Sequence, residues 1–189
     1  MKRLFSIFAF FFLGSAVAAP VEYEIDPSHT YPSFEADHMG ISVWRGKFNK
    51  NSGKVIFDKE NQTGNVEIVI DLDSVDFGHA AMNTWARGES LFDTGKFPLA
   101  TYAGKLADFV AGAPTMVLGQ LSLHGVTRPL NLKINSFKCI PHPLHKRELC
   151  GADATTSFNR GDFGLEAGKS IRVLLDVTLR IQVEAVAVK

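Results

Sequence analysis

Toward its C-terminus the chain alternates apolar and polar side chains for more than a dozen residues. Ile171, Val173, Leu175, Val177, Leu179, Ile181 and Val183 fall on one phase, while Arg172, Asp176, Thr178, Arg180, Gln182 and Glu184 fall on the other. A period of two sends successive side chains to opposite faces of an extended backbone, so this segment reads as a long strand with one dry face and one wet face. The same split separates Val66, Ile68, Ile70 and Leu72 from Glu67, Asp71 and Asp73, and separates Leu130, Leu132 and Ile134 from Asn131, Lys133 and Asn135. Weaker alternation marks residues 22–25, 33–38, 43–48, 54–57, 101–106, 116–123 and 155–159. Turn signals lie between them: Asp26-Pro27, Asn51-Ser52-Gly53, Asn61-Gln62-Thr63-Gly64, Gly112-Ala113-Pro114 and Gly125-Val126-Thr127. Many short strands joined by turns make an all-β sandwich or barrel. The stretch His79 to Phe92 lacks alternation and predicts a short helix or two covering one end. No repeat, linker or low-complexity tract interrupts the pattern, which predicts one domain.

The N-terminus follows a different grammar. Lys2 and Arg3 precede an apolar run from Leu4 to Leu13 and then small residues from Gly14 to Ala19, the order of a secretory signal peptide. The run is shorter than the roughly 20 residues a spanning helix needs. Cleavage after Ala18 places Ala16 and Ala18 at the two small subsites, so residues 1–18 are expected to be a signal peptide and residues 19–189 the exported domain. Export points to the periplasm. Cys139 and Cys150 then meet an oxidising compartment and sit in no CxxC or Cys-His signature, so a structural disulfide is expected.

Several function classes lose support. The chain carries 20 basic and 20 acidic side chains, and losing Lys2 and Arg3 leaves it slightly acidic, with no basic stripe to follow a nucleic acid. His29, His38, His79, His124, His142 and His145 show no zinc-ligand spacing, and Asp71, Asp73 and Asp76 lack the glycine of a calcium loop, so no metal site is expected. Neither a G-x-S-x-G elbow nor a glycine-rich phosphate loop is present. No cofactor is expected.

Specific residues resemble a known family. Tyr23-Glu24-Ile25-Asp26-Pro27-Ser28-His29, Phe34-Glu35-Ala36-Asp37-His38-Met39-Gly40 and Arg45-Gly46-Lys47-Phe48 are similar to the opening of the YceI-like, lipocalin-type polyisoprenoid-binding proteins, and Gly53-Lys54-Val55-Ile56-Phe57-Asp58 to the family's third strand. Leu91-Phe92-Asp93 with Lys96-Phe97-Pro98, the run from Gly119 to Pro129, and Asn159-Arg160-Gly161-Asp162-Phe163-Gly164 continue the likeness across the exported chain. The resemblance implies an extended lipocalin-like antiparallel barrel of about eight strands around an apolar tunnel. It also implies a long-chain isoprenoid, quinone or fatty amide as ligand. The chain departs from the family's habits at Asn83-Thr84-Trp85-Ala86 and at Tyr102-Ala103-Gly104.

The aromatic residues supply candidates for the site. Of 15 Phe, five leave with the leader, and the remainder with 2 Trp and 3 Tyr is ample for a core. Trp44, Phe48, Trp85, Leu91, Phe92 and Phe97 fall in or beside the irregular stretch expected to cap the barrel, with Phe48, Trp85 and Phe92 guarding a mouth. Phe34, Phe158, Val177 and Leu179 are expected on the tunnel wall, and His38 and Arg160 as anchors for a polar head group. The favoured reading is a periplasmic carrier of an amphiphile, binding no nucleic acid and catalysing no reaction. Two alternatives stand beside it: a lipid-modifying enzyme, and a stress or assembly protein with a filled barrel. A homodimer is left open.

Overall fold

A computed structural model describes residues 19–188, so the expected signal peptide lies outside the described residues. The strands are β1 (Val21–Ile25), β2 (Tyr31–His38), β3 (Ser42–Phe48), β4 (Asn51–Asp58), β5 (Thr63–Asp71), β6 (Val75–Asp76), β7 (Leu99–Val110), β8 (Ala113–Leu123), β9 (Val126–Pro129), β10 (Leu132–Pro141), β11 (Glu148–Asn159) and β12 (Asp176–Ala187). One α-helix, α1 (Ala80–Arg87), lies between β6 and β7.

These pieces form eight antiparallel staves closed into a barrel, because β12 pairs with β11 on one side and with β1 and β2 on the other. Three staves are interrupted at one level: β1 breaks before β2, β3 before β4, and β5 before β6 at the 3-10 turn Leu72–Ser74. Each break leaves backbone groups without a ladder partner, and buried polar groups must be satisfied. Side chains do it. Thr30 Oγ1 accepts from Glu184 N at 3.0 Å, Asn51 Nδ2 donates to the Thr30 carbonyl at 2.7 Å, and Ser74 Oγ accepts from Lys50 N at 2.9 Å.

Alternation fixes what points inward. Val177 and Ala185 on β12, Ala152 and Ala154 on β11, and Tyr102 and Ala100 on β7 share the interior with Phe34, Phe48 and Phe57. Two inward positions are glycine for a steric reason. Gly46 lies directly across from Phe34, and a Cβ there would sit 2.5 Å from the Phe34 ring. At Gly119 it would sit 2.4 Å from the Tyr102 oxygen. Glycine lets each ring lie flat on the wall.

The structure corrects the reading of the C-terminal strand. Ile171, Val173 and Leu175 precede β12, the first of them in a 3-10 turn spanning Lys169–Ile171. The turn is bounded by left-handed Gly168 (φ +80°) and Arg172 (φ +66°), which no strand accommodates. Ladder pairing of β12 with β2 begins only at Val177 against Ala36. Likewise Leu72 and Asp73 belong to the 3-10 turn, whose N-cap is Asp71, accepting from Asp73 N. The stretch without alternation does hold a helix. His79 Nδ1 caps α1 by accepting from Met82 N, and Gly88 ends it.

Candidate ligand-binding cavity

The barrel is not filled. Its axis holds an apolar cavity of about 350 Å³, at the small end of the range for small-molecule sites. Val177 and Ala185 both line it. Eight residues of strand at ~3.3 Å each, tilted ~40° to the axis, make that ~20 Å deep.

The two ends differ. One is closed: the Phe57 ring packs against Phe109 at 6.1 Å and Phe137 at 5.7 Å, beside buried Tyr23 and Cys150. Behind them the Cys139–Cys150 disulfide joins directly opposed residues of β10 and β11. Tyr23 Oη donates to Glu148 at 2.5 Å, and Lys59 Nζ meets the same carboxylate at 2.6 Å. Burial and the Glu148 carboxylate push the Tyr23 phenol up and keep it neutral. Burial pushes the Glu148 carboxyl up, but Lys59 and Tyr23 hold it below its ordinary value. Among the described residues, Cys139, Glu148 and Cys150 form the one cluster with metal-ligating spacing, and both sulfurs are committed to the disulfide.

The other end is open. Among the residues that line the cavity only Trp85 and Ile171 are exposed, so the opening lies between α1 and the 169–171 turn. A run of rings leads inward from it. Trp85 meets Trp44 edge-on at 6.5 Å, Trp44 meets Phe77 at 6.4 Å, Phe77 meets Phe34 at 5.3 Å, and Phe34 and Phe48 stand 5.6 Å apart. His38 stacks on Trp44 at 4.1 Å.

Polar groups on the wall are few. Arg160 is buried, and its guanidinium donates to the carbonyls of Leu165 and Ala167, the second at 2.5 Å. Burial lowers its pKa, and the two carbonyls stabilise the charge against that cost. Its principal work is to fold the 160–168 segment over the barrel edge. Tyr102 Oη donates to the Leu130 carbonyl at 2.9 Å, and burial raises its pKa.

Of the twelve residues singled out from the sequence, Phe34, His38, Trp44, Phe48, Trp85, Leu91, Phe92, Phe158, Arg160, Val177 and Leu179 all line this one cavity. Phe97 does not. Its ring packs on His124 at 4.2 Å, outside the lining. Trp44 and Phe48 stand on β3 rather than in the cap. Phe48 and Phe92 are buried against each other at 5.6 Å, which leaves Trp85 as the ring at the mouth. Sequence reasoning missed Phe77, Leu165 and Ala167, whereas Ile171 and Val173, read on the dry phase of the last strand, line the cavity from the 169–171 turn and the loop after it. Tyr102 was not singled out either, although it holds an inward phase of an alternating strand.

Comparison with known proteins agrees with this geometry. The family profile described as a YceI-like domain matches residues 23–185. A UPF0312 protein of Shewanella oneidensis is 34% identical over 170 residues, covering 87% of this chain and 88% of the relative. Among solved structures, BcnA of Burkholderia cenocepacia superposes with a TM-score of 0.69 at 22% identity, covering 85% of this chain and 98% of that one. A polyisoprenoid binding domain from Saccharophagus degradans superposes with a TM-score of 0.66 at 20% identity, covering 88% and 99%. At those identities the likeness is one of fold.

Proposed function

The chain belongs to the YceI-like domain family, and on that premise we propose that it carries one amphiphile with a long apolar tail, an isoprenoid, an isoprenoid quinone or a fatty amide, through the periplasm. Export by the N-terminal leader, cleaved after Ala18, belongs to the same proposal. The observation that supports it most is the cavity itself: deep, apolar, closed by Phe57, Phe109 and Phe137 and open beside Trp85. A tail enters past Trp85 and lies along Leu179, Ile181 and Val183, while the head group stays near His38, Asp37 and Trp85 at the mouth. A filled barrel offering only its outer surface has that apolar cavity against it. A lipid-modifying enzyme requires a perturbed acid or base in the wall. Here the buried phenols are pushed toward their neutral forms, and Arg160 is occupied with carbonyls.

Displacement of an environment-sensitive fatty-chain probe tests the reading. The probe should brighten on binding, be displaced by long-tailed amides or prenols at one-to-one stoichiometry, and be recovered chemically unchanged. Failure of the probe and of every long-tailed competitor to bind overturns the carrier, and turnover of the competitor makes it an enzyme.

A further inference from the structure

The cavity opens through a rim of apolar side chains that face outward. Ile41 is 76% exposed, Ile171 61% and Leu174 58%, and Met39, Val43 and Trp85 are exposed beside them. They come from three separate elements that the fold draws together. The Asp37 carboxylate accepts the N–H of Gly40 at 3.0 Å and of Leu174 at 3.4 Å, tying the β2–β3 hairpin tip to the loop before β12. His38 stacks on Trp44, and Trp44 meets Trp85 of α1. Cations nearby are mostly paired: Lys169 with Glu166, Arg45 with Glu35 and Arg87 with Asp73. Arg172 stands exposed between Ile171 and Leu174, and among the described residues it forms no ion pair.

We propose that this rim is a membrane-docking surface, which seats the open end of the barrel on a bilayer containing anionic phospholipid. The inference rests on the carrier reading and supplies its loading step. A protein partner on this patch would cover the opening at its centre, whereas a bilayer presents the tails the cavity accepts. Transfer through water would cost a long tail ~fourfold in partition for each methylene. Docking lets the tail pass from acyl chains to Trp85 without that exposure. Trp85 has the interfacial character of a ring with an apolar body and a polar N–H, and the unpaired Arg172 complements a phosphate.

The test is flotation of the exported protein with vesicles of phosphatidylcholine, with and without phosphatidylglycerol. The protein should float with the mixed vesicles, and brominated acyl chains should quench its tryptophan fluorescence. Ile41→Asp with Leu174→Asp should lower partition at least ~tenfold, because carboxylates resist desolvation. Arg172→Gln should lower it ~fivefold, on the anionic vesicles alone. Val110→Asp with Leu144→Asp, exposed at the opposite end, should leave it unchanged. Should the double rim variant melt early, Met39→Asp probes the same edge. Wild type that floats with neither vesicle, or rim variants that float like wild type, overturn the proposal. Probe displacement in vesicle-free solution keeps the two readings apart. If tail binding fails there while flotation still follows the rim, the carrier fails and the docking surface stands.

Discussion

Ala152 is a small inward residue deep in the barrel, opposite Phe137 on one side and Val183 on the other. Ala152→Trp places an indole across the cavity without enlarging the outer surface. On β11 the lining runs from Phe158 near the mouth to Cys150 at the closed end, so Ala152 lies two residues above the floor. Two residues of tilted strand correspond to ~5 Å of axis, or ~4 methylenes at ~1.25 Å each for a zigzag of ~1.5 Å bonds. At ~0.8 kcal/mol per buried methylene the blocked segment is worth ~3 kcal/mol, or ~200-fold in affinity. Titration calorimetry with fatty amides of graded length should show wild type tightening ~fourfold per methylene until the cavity is full. The variant should follow the same line and level off ~4 methylenes earlier. Short tails should bind both proteins equally. A plateau at the same length in both, or no dependence on length in wild type, refutes a tail lying along the barrel axis.

Three further outcomes follow from the contacts. Reducing Cys139–Cys150, whose sequence separation is 11, should remove ~2–3 kcal/mol of loop-closure stabilisation. That lowers Tm by ~5–10 °C in calorimetry with and without reductant, and an unchanged Tm counts against it. Arg160→Leu leaves the Leu165 and Ala167 carbonyls without their donor, so urea unfolding should show a loss of ~2–4 kcal/mol; a loss under ~0.5 kcal/mol would make the arginine's carbonyl contacts incidental. Hydrogen bonds from Ser28 and then His29 depress Asp26 from 3.8 to about 2, so its contribution is present above the ordinary value and lost as pH falls toward about 2. His29 is raised by Asp26, so its part is present below 6.5 and lost as pH climbs through the raised value. Asp26→Asn should flatten both limbs of a plot of urea midpoint against pH; persistence of both assigns them elsewhere.

Period-two alternation made the barrel legible, because a wall with one wet and one dry face must repeat every second residue. It identified Val177 to Val183 and Val66 to Ile70 correctly and in phase. It failed where an apolar requirement persists without a ladder. Ile171 and Val173 keep the rhythm because they line the opening, yet Arg172 turns left-handed and β2 supplies no partner there. The three aligned stave breaks were equally hidden, since Thr30, Asn51 and Ser74 cap one another across long sequence separations. Periodicity also says which face is dry, not whether that face meets a solid core or an empty space. Phe92 was therefore read as a gate although it is buried against Phe48, and Phe97 as a lining residue although it covers His124.

Native mass spectrometry of the protein purified from an exporting cell, followed by solvent extraction of whatever it holds, decides whether the barrel carries a lipid. The chain should start at Ala19 with its disulfide intact and carry one long-tailed amphiphile that organic solvent releases, and the same spectrum decides between monomer and homodimer. A protein that arrives empty, and stays at its bare mass after incubation with the graded amide series, would contradict the carrier.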